Sequence, residues 1–118
     1  MPSPLDPDRI TAYHAHVYFD PVQRNEAAEL RQQIQERFTV RMGNWHDVPV
    51  GPHPQSMYQV AFEVALFPRL VPFLMLNRQG LTILVHPETD RPRDDHLHHA
   101  MWLGEKLPLK GEVLPETA

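Results

Sequence analysis

Apolar and polar residues alternate strictly between residues 12 and 19. One side of this pattern carries Tyr13, Ala15, Val17 and Phe19, and the other carries His14, His16 and Tyr18. A period of two residues is typical of a β-strand with one buried face. We therefore predict a first strand over residues 12–19, with one apolar face and one face that presents imidazoles.

The next segment has the pattern of an amphipathic helix. Asp20 supplies an N-cap acceptor, Pro21 suits the first helical position, and Gln23 follows three residues after the cap. Apolar residues then recur at helical spacing, namely Ala27, Leu30, Ile34 and Phe38. The sequence predicts a helix over about residues 21–37.

The second half repeats this alternation of element types. We predict a strand over 38–45, a turn-rich stretch over 46–54, a strand over about 56–64, a helix over 68–78 and a strand over 81–86. In the second helix Leu70, Val71 and Leu74 form the predicted buried stripe, and Gly80 ends it.

This order of elements predicts an α+β domain with a ferredoxin-like βαββαβ sandwich. Its antiparallel sheet would have four strands, with the first and third in the centre and the fourth beside the first. Both helices would cover one face of the sheet. Strand parity then places a set of polar side chains on the other face: His14, His16, Gln59, Glu63, Thr82 and His86.

The chain has 118 residues, enough for a single domain over residues 1–118. Its core is expected over about 12–104, with flexible tails at 1–10 and 105–118, because both ends are polar and proline-bearing.

Charge and composition limit the partners. The formal net charge is −4 without a basic stripe, which argues against nucleic acid and against an anionic membrane surface. No segment approaches the roughly 18 apolar residues of a membrane span, and the N-terminus lacks a signal-peptide pattern, so we expect a cytoplasmic protein. A sheet face without helices must be capped by loops or by a partner, which favours a homodimer.

The candidate chemistry is carried by histidine. The chain has eight histidines and no cysteine, so a metal site would use imidazole and oxygen ligands. His14, His16 and His86 are predicted on one sheet face and are the candidate metal ligands. A carboxylate from Glu63, Asp94 or Asp95 would complete a two-histidine, one-carboxylate set, which is typical of non-haem Fe(II).

Structural roles for the same residues stay open. His86 could cap the sheet edge, and His53 could be a turn residue between Pro52 and Pro54. A carboxylate of the acidic pair Asp94-Asp95 before His96 could orient its imidazole or cap a short helix over 96–103. His46, His98 and His99 are expected to be surface or hydrogen-bonded residues. Trp45 and Trp102 are expected in the core or at a subunit contact.

Four sequence blocks in order resemble the DOPA 4,5-dioxygenase family. They are residues 13–19 (YHAHVYF), 49–54 (PVGPHP) and 84–87 (LVHP), followed by Asp95-His96 with residues 102–104 (WLG). The resemblance implies a small, dimeric, ferredoxin-like extradiol dioxygenase that cleaves catechols such as L-DOPA with O₂ at a non-haem Fe(II) site. It also implies that His14, His16 and His86 are metal-centre residues, whereas His53 and His96 contact the substrate or transfer protons. Another divalent metal could occupy the site, and an all-histidine ligand set stays possible.

Two other functions are compatible with the residues. One is a metal-binding or ligand-binding module without turnover, and the other is a cofactor-independent monooxygenase or isomerase that uses a histidine as a base. The sequence does not select one catechol. Arg41, Arg78, Arg91 and Arg93 are candidates for binding a substrate carboxylate.

Overall fold

A computed structural model describes residues 3–118 of the chain. Five strands and three α-helices follow one another: β1 (Ala12–Phe19), α1 (Arg24–Arg37), β2 (Arg41–Met42), β3 (Ser56–Phe62), α2 (Phe67–Asn77), β4 (Thr82–Glu88), α3 (Pro92–Leu97) and β5 (Met101–Leu103). The chain therefore has an α+β fold, in which all neighbouring strands are antiparallel and the sheet order is β2-β3-β1-β4-β5.

The prediction of a four-stranded sheet is wrong, because the sheet has a fifth strand, β5. β5 pairs with β4 through Leu84↔Trp102 and its two neighbours. The possible short helix over 96–103 is not formed, because α3 ends at Leu97 and residues 101–103 form β5. α3 starts at Pro92, which suits a first helical position because it needs no backbone N–H donor there.

The elements β1 to β4, with α1 and α2, follow the predicted order. The Asp20 side chain accepts a hydrogen bond from the Gln23 backbone N–H, and the Gln23 side chain accepts one from the Asp20 N–H, so the predicted capping box is present. It opens a short 3-10 turn that leads into α1. The predicted second strand is shorter than expected, because only Arg41 and Met42 pair regularly with β3 before Gly43.

Both long helices pack on one face of the sheet. The main core joins Leu30 and Ile34 of α1 and Leu70 and Leu74 of α2 to the apolar strand residues, among them Val17. In β1, β3 and β4, successive side chains point alternately into this core and to the opposite face, so the predicted parity is confirmed.

The opposite face is covered by the chain itself. A smaller apolar cluster contains Tyr18, Met57, Leu84 and Leu107, with Trp102 packed against it. The sequence predicted a flexible tail over 105–118, whereas this segment lies against the sheet, because Leu107 supplies apolar surface that the helix-free face lacks.

Hydrogen bonds hold this C-terminal segment in place. The Lys110 N–H donates to the Pro52 carbonyl at 2.9 Å, and the Arg93 guanidinium donates to the carbonyls of Gly111 and Leu114. A loop thus caps the face for which a partner subunit was considered, and the homodimer stays a prediction. Within residues 3–118, no helix is both long and apolar enough to cross a lipid bilayer.

Candidate metal centre

Three of the predicted site histidines lie on the central strand β1 and on its neighbour β4. His14 and His86 are directly opposite each other in the antiparallel pairing of β1 with β4, and His16 is paired with Leu84. His16 and His86 are buried, and the His14 side chain is 20% exposed. Pairing and parity therefore bring the three imidazoles to one face of a rigid sheet.

Nitrogen atoms of these three side chains lie within 4.8 Å of one another. The shortest distance joins the Nε2 atoms of His16 and His86, at 3.0 Å. The ring centroids of His14 and His86 are 5.1 Å apart. This group is one of two histidine triads in the described part of the chain that could hold a metal ion.

The second triad consists of His16, His53 and His96, again with one nitrogen from each within 4.8 Å. His53 arrives from the loop before β3, where prolines flank it, and His96 from α3. The His96 ring lies 3.8 Å from that of His86, and the His53 ring 4.3 Å from that of His16, measured between centroids. The structure thus brings together all five predicted site residues in one cluster, and His16 belongs to both triads.

Backbone carbonyls set the tautomers of two of these imidazoles. His96 Nδ1 lies 2.7 Å from the Pro92 carbonyl, and His86 Nδ1 lies 3.0 Å from the Pro87 carbonyl. Because a carbonyl only accepts hydrogen bonds, each Nδ1 carries the hydrogen. The Nε2 atom of each neutral ring then carries the lone pair, and that of His86 lies 3.0 Å from Nε2 of His16.

Tyr18 contacts the cluster from β1. Its hydroxyl lies 2.6 Å from Nδ1 of His53, in a buried position, and its ring stacks on Trp102 with a centroid distance of 5.9 Å. Burial raises the pKa of Tyr18 above its usual range, so the phenol stays protonated.

Burial keeps these imidazoles neutral. It is the largest cause of the lowered pKa of His14 and of His53, both about 4, and of His86, about 3, with the nearby His96 as the second cause in each case. Burial followed by the charges of neighbouring histidines also holds the pKa of His16 well below its usual range. Burial lowers the pKa of His96 too, but the Pro92 carbonyl and the Asp95 charge oppose the shift. Neutral imidazoles are the form that binds metals.

The carboxylate nearest to the cluster is Glu88, which the sequence interpretation missed. Its Oε1 lies 3.2 Å from Nδ1 of His14 and 3.6 Å from Nδ1 of His86. Burial, followed by the charge of Asp95, raises the pKa of Glu88. The signal was present in the sequence, because Glu88 follows His86 by two residues and shares its face, but the predicted strand ended before it.

The three acids that the sequence offered as ligands have other roles. Glu63 is exposed at the N-cap of a 3-10 turn. Asp95 accepts hydrogen bonds from the backbone N–H and hydroxyl of Thr89, at 2.8 and 2.6 Å. Asp94 lies 3.8 Å from exposed His98. Neither histidine triad of the described residues includes a carboxylate.

Aromatic and histidine residues outside the cluster divide as expected. His98 and His99 are exposed, and His46 forms an isolated β-bridge with Met57. Trp45 packs against the main core, stacked on Tyr58 with a centroid distance of 5.6 Å.

Comparisons with known proteins agree with this architecture. Among curated proteins, an uncharacterized 21.2 kDa protein of Botryotinia fuckeliana is 36% identical over 119 residues, which cover 90% of this chain and 64% of that protein. The DOPA 4,5-dioxygenase of Amanita muscaria is 32% identical over 118 residues, which cover 90% of this chain and 50% of that protein. The chain therefore spans between half and two thirds of the length of these curated relatives.

A solved structure and a family model also match most of this chain. The crystal structure of a candidate dioxygenase from Nostoc punctiforme has a TM-score of 0.93 at 50% identity, and the match covers 94% of this chain and 96% of that one. The family model described as the Dopa 4,5-dioxygenase family matches residues 13–113. The resemblance stated from the sequence is confirmed: the chain belongs to the Dopa 4,5-dioxygenase family.

Proposed function

We propose that this protein is an extradiol dioxygenase that cleaves the ring of a small catechol with O₂ at a non-haem Fe(II) site. The observation that carries this proposal is the convergence of five neutral, largely buried imidazoles, two of which have Nε2 atoms 3.0 Å apart. Family membership supports dioxygenase chemistry, and the curated relative from Amanita muscaria is a DOPA 4,5-dioxygenase.

His14, His16 and His86 are the residues proposed to hold the ion. Two nitrogens that each bind one metal at about 2.1 Å are separated by about 3.0 to 3.4 Å, depending on the angle at the metal. The Nε2 atoms of His16 and His86 meet this requirement at 3.0 Å. The Pro87 carbonyl leaves the lone pair of His86 on Nε2, and Glu88 faces Nδ1 of His14, which leaves Nε2 of that ring for the ion.

The orphaned nitrogen of His16 also fits an ion. Its Nδ1 is buried without a hydrogen-bond partner among the described residues. A buried polar atom without a partner has a substantial free-energy cost, so such an atom in a native structure needs an explanation. If Nδ1 carries the hydrogen, two Nε2 lone pairs face each other at 3.0 Å, an arrangement that a cation stabilises. When bound, Fe(II) would supply a Lewis acid for the catechol oxygens and a redox centre for O₂.

His96 is the proposed proton acceptor for the catechol. Its Nδ1 donates to the Pro92 carbonyl, so Nε2 is available to take a hydroxyl proton. The carbonyl and the nearby Asp95 carboxylate also stabilise its protonated form, in part against the cost of burial. His86 also has a carbonyl and a carboxylate nearby, from Pro87 and Glu88, but it is one of the proposed metal ligands.

His53 is proposed to contact the substrate and to share proton transfer. For its Nε2 to accept a proton, its Nδ1 must carry the hydrogen and donate it to the Tyr18 oxygen at 2.6 Å. The stacked Tyr18 and Trp102 rings and the packed C-terminal segment with Leu107 also exclude water from this side of the sheet.

The test is O₂ consumption after anaerobic loading of chelator-treated protein with Fe(II). Extradiol cleavage adds both atoms of O₂ to the ring carbons, so one O₂ is consumed per catechol and a yellow muconic semialdehyde accumulates. We expect this stoichiometry for wild-type protein and its loss in His16→Ala, which removes the residue common to both triads.

The matched control is His98→Ala, because His98 is an exposed histidine outside the cluster. It should retain both metal and activity. Absence of O₂ uptake across a panel of catechols would contradict the proposal. Undiminished turnover after exhaustive chelation would instead favour a base-only enzyme.

A further inference from the structure

One arginine lies in the same cross-strand row as the candidate metal ligands. Arg41 of β2 is opposite Ala61 of β3, Ala61 is opposite His14 of β1, and His14 is opposite His86 of β4. Directly opposed residues of antiparallel strands point to the same face. Arg41 is therefore on the face of the histidine cluster, two strands from His14, at a Cα separation of about 10 Å.

A cleft of about 480 Å³ lies at the Arg41 end of this row. Its lining includes the small residues Ala12 and Ala61 and the charged Arg41 and Glu63, together with apolar side chains such as Val40, Phe62 and Leu66. Ala61 is the cross-strand neighbour of His14, and Ala12 precedes His14 by two residues on the same face. Short side chains here leave space beside the exposed part of the His14 ring.

Arg41 is exposed, and within residues 3–118 its guanidinium has no hydrogen-bond or ion-pair partner within bonding distance. Two other arginines that the sequence offered for a substrate carboxylate differ in this respect. Arg78 donates to the Leu81 carbonyl at 2.7 Å, and Arg93 is bound to carbonyls of the C-terminal segment and to Glu116. Arg91 lines a different cleft, which is formed with the N-terminal segment.

We propose that Arg41 is a specificity-determining residue that binds a carboxylate on the side chain of the catechol substrate. This assignment rests on the proposed function, because it takes the catechol ring to lie at the histidine cluster. A ring beside His14 with a short carboxylate-bearing chain directed along the row has its anionic end at Arg41. A guanidinium pairs with a carboxylate through two parallel N–H···O bonds, which neutral catechols do not form.

The experiment is anaerobic calorimetric binding to Fe(II)-loaded protein, with 3-(3,4-dihydroxyphenyl)propanoate and the neutral 4-ethylcatechol as probes. We expect Arg41→Met to raise the Kd for the carboxylate about 10-fold to 100-fold, as for loss of a charge-assisted pair. Binding of 4-ethylcatechol should change less than about 2-fold. Arg41→Lys should recover part of the affinity, because charge is kept but the bidentate geometry is lost.

The matched control is Arg69→Met, at an exposed arginine of α2 on the other side of the sheet, which should leave both affinities unchanged. Thermal melting of each variant checks folding. Equal weakening of both catechols by Arg41→Met, or no weakening of the carboxylate, would overturn this assignment while the proposed function stands. If wild-type protein binds neither catechol, the proposed function fails and the assignment falls with it.

Discussion

Replacing Glu88 should weaken metal binding without removing a metal ligand. Its Oε1 lies 3.2 Å from Nδ1 of His14 and 3.6 Å from Nδ1 of His86. A carboxylate in this position holds the ring so that Nε2 points at the ion, and it raises the basicity of the ligand. Glu88→Gln keeps an acceptor oxygen but removes the charge, and Glu88→Ala removes both.

The size of the effect follows from this contact. Loss of an outer-shell partner typically reduces metal affinity about 10-fold to 100-fold, or about 1.4 to 2.7 kcal/mol. The Glu88 side chain is 35% exposed, so solvent screens part of its charge. We therefore expect about a 10-fold loss for Glu88→Gln and a loss closer to 100-fold for Glu88→Ala.

Anaerobic competition with a chromophoric chelator measures the affinity for Fe(II), and for Zn(II) as a redox-inert comparison. Glu29→Gln is the matched control, because Glu29 is an exposed acid on α1, on the opposite face of the sheet. Affinities within 2-fold of wild type for Glu88→Ala would refute the orienting role. A loss of metal affinity beyond 1,000-fold would also contradict the orienting role, because it would indicate that Glu88 is itself a metal ligand.

Three further predictions concern the site and the segment that covers it. Tyr18→Phe should lower kcat at least several-fold and leave metal content unchanged, because it removes the hydrogen-bond partner of His53 Nδ1. Steady-state O₂ uptake with metal analysis checks this, and an unchanged kcat would contradict it. Metal-free protein should lose stability as pH falls from about 6.5 to about 4, because His14 and His53 bind protons more weakly in the folded than in the unfolded state. The free energy of unfolding should fall by about 1.4 kcal/mol per pH unit for each fully shifted group. Chemical denaturation across this pH range tests the prediction, and a free energy of unfolding that does not change with pH would contradict it. Gly111→Val should lower Tm, because an added Cβ would collide with Leu97 of α3, and an unchanged Tm would show that the C-terminal segment is not packed there.

The histidine face could be predicted because parity within a strand is a local property. His14 and His16 alternate with apolar residues in β1, and His86 ends an apolar run in β4, so each side chain's face follows from its own neighbours. The sequence blocks also placed His53 and His96 with them, although no local pattern fixes where the loop before β3 or helix α3 lies in space.

Glu88 and β5 were missed for two physical reasons. Proline lacks the backbone N–H that a strand ladder needs, so the predicted fourth strand was ended before Pro87. In the structure β5 covers only residues 83–85 of β4, and beyond it one side of β4 is unpaired, where proline is tolerated. Strand Met101–Leu103 is too short to show a period, and its pairing is set by tertiary contact with β4.

The packing of the C-terminal segment also depends on contacts distant in sequence. Polar residues and proline made residues 105–118 resemble a free tail, yet Leu107 is 8% exposed and Lys110 is bonded to the Pro52 carbonyl. The sequence predicted a sheet face without helices, and therefore the need for a cover over that face. It did not predict which segment of the chain would supply the cover.

The most direct test of the account is the position of the metal in a crystal of Fe(II)-loaded protein, located by an anomalous difference map at the iron edge. We predict one peak at about 2.0 to 2.2 Å from a nitrogen of each of His14, His16 and His86. A peak among His16, His53 and His96 instead, or no peak at the cluster, would contradict the proposed assignment of ligands and proton-transfer residues.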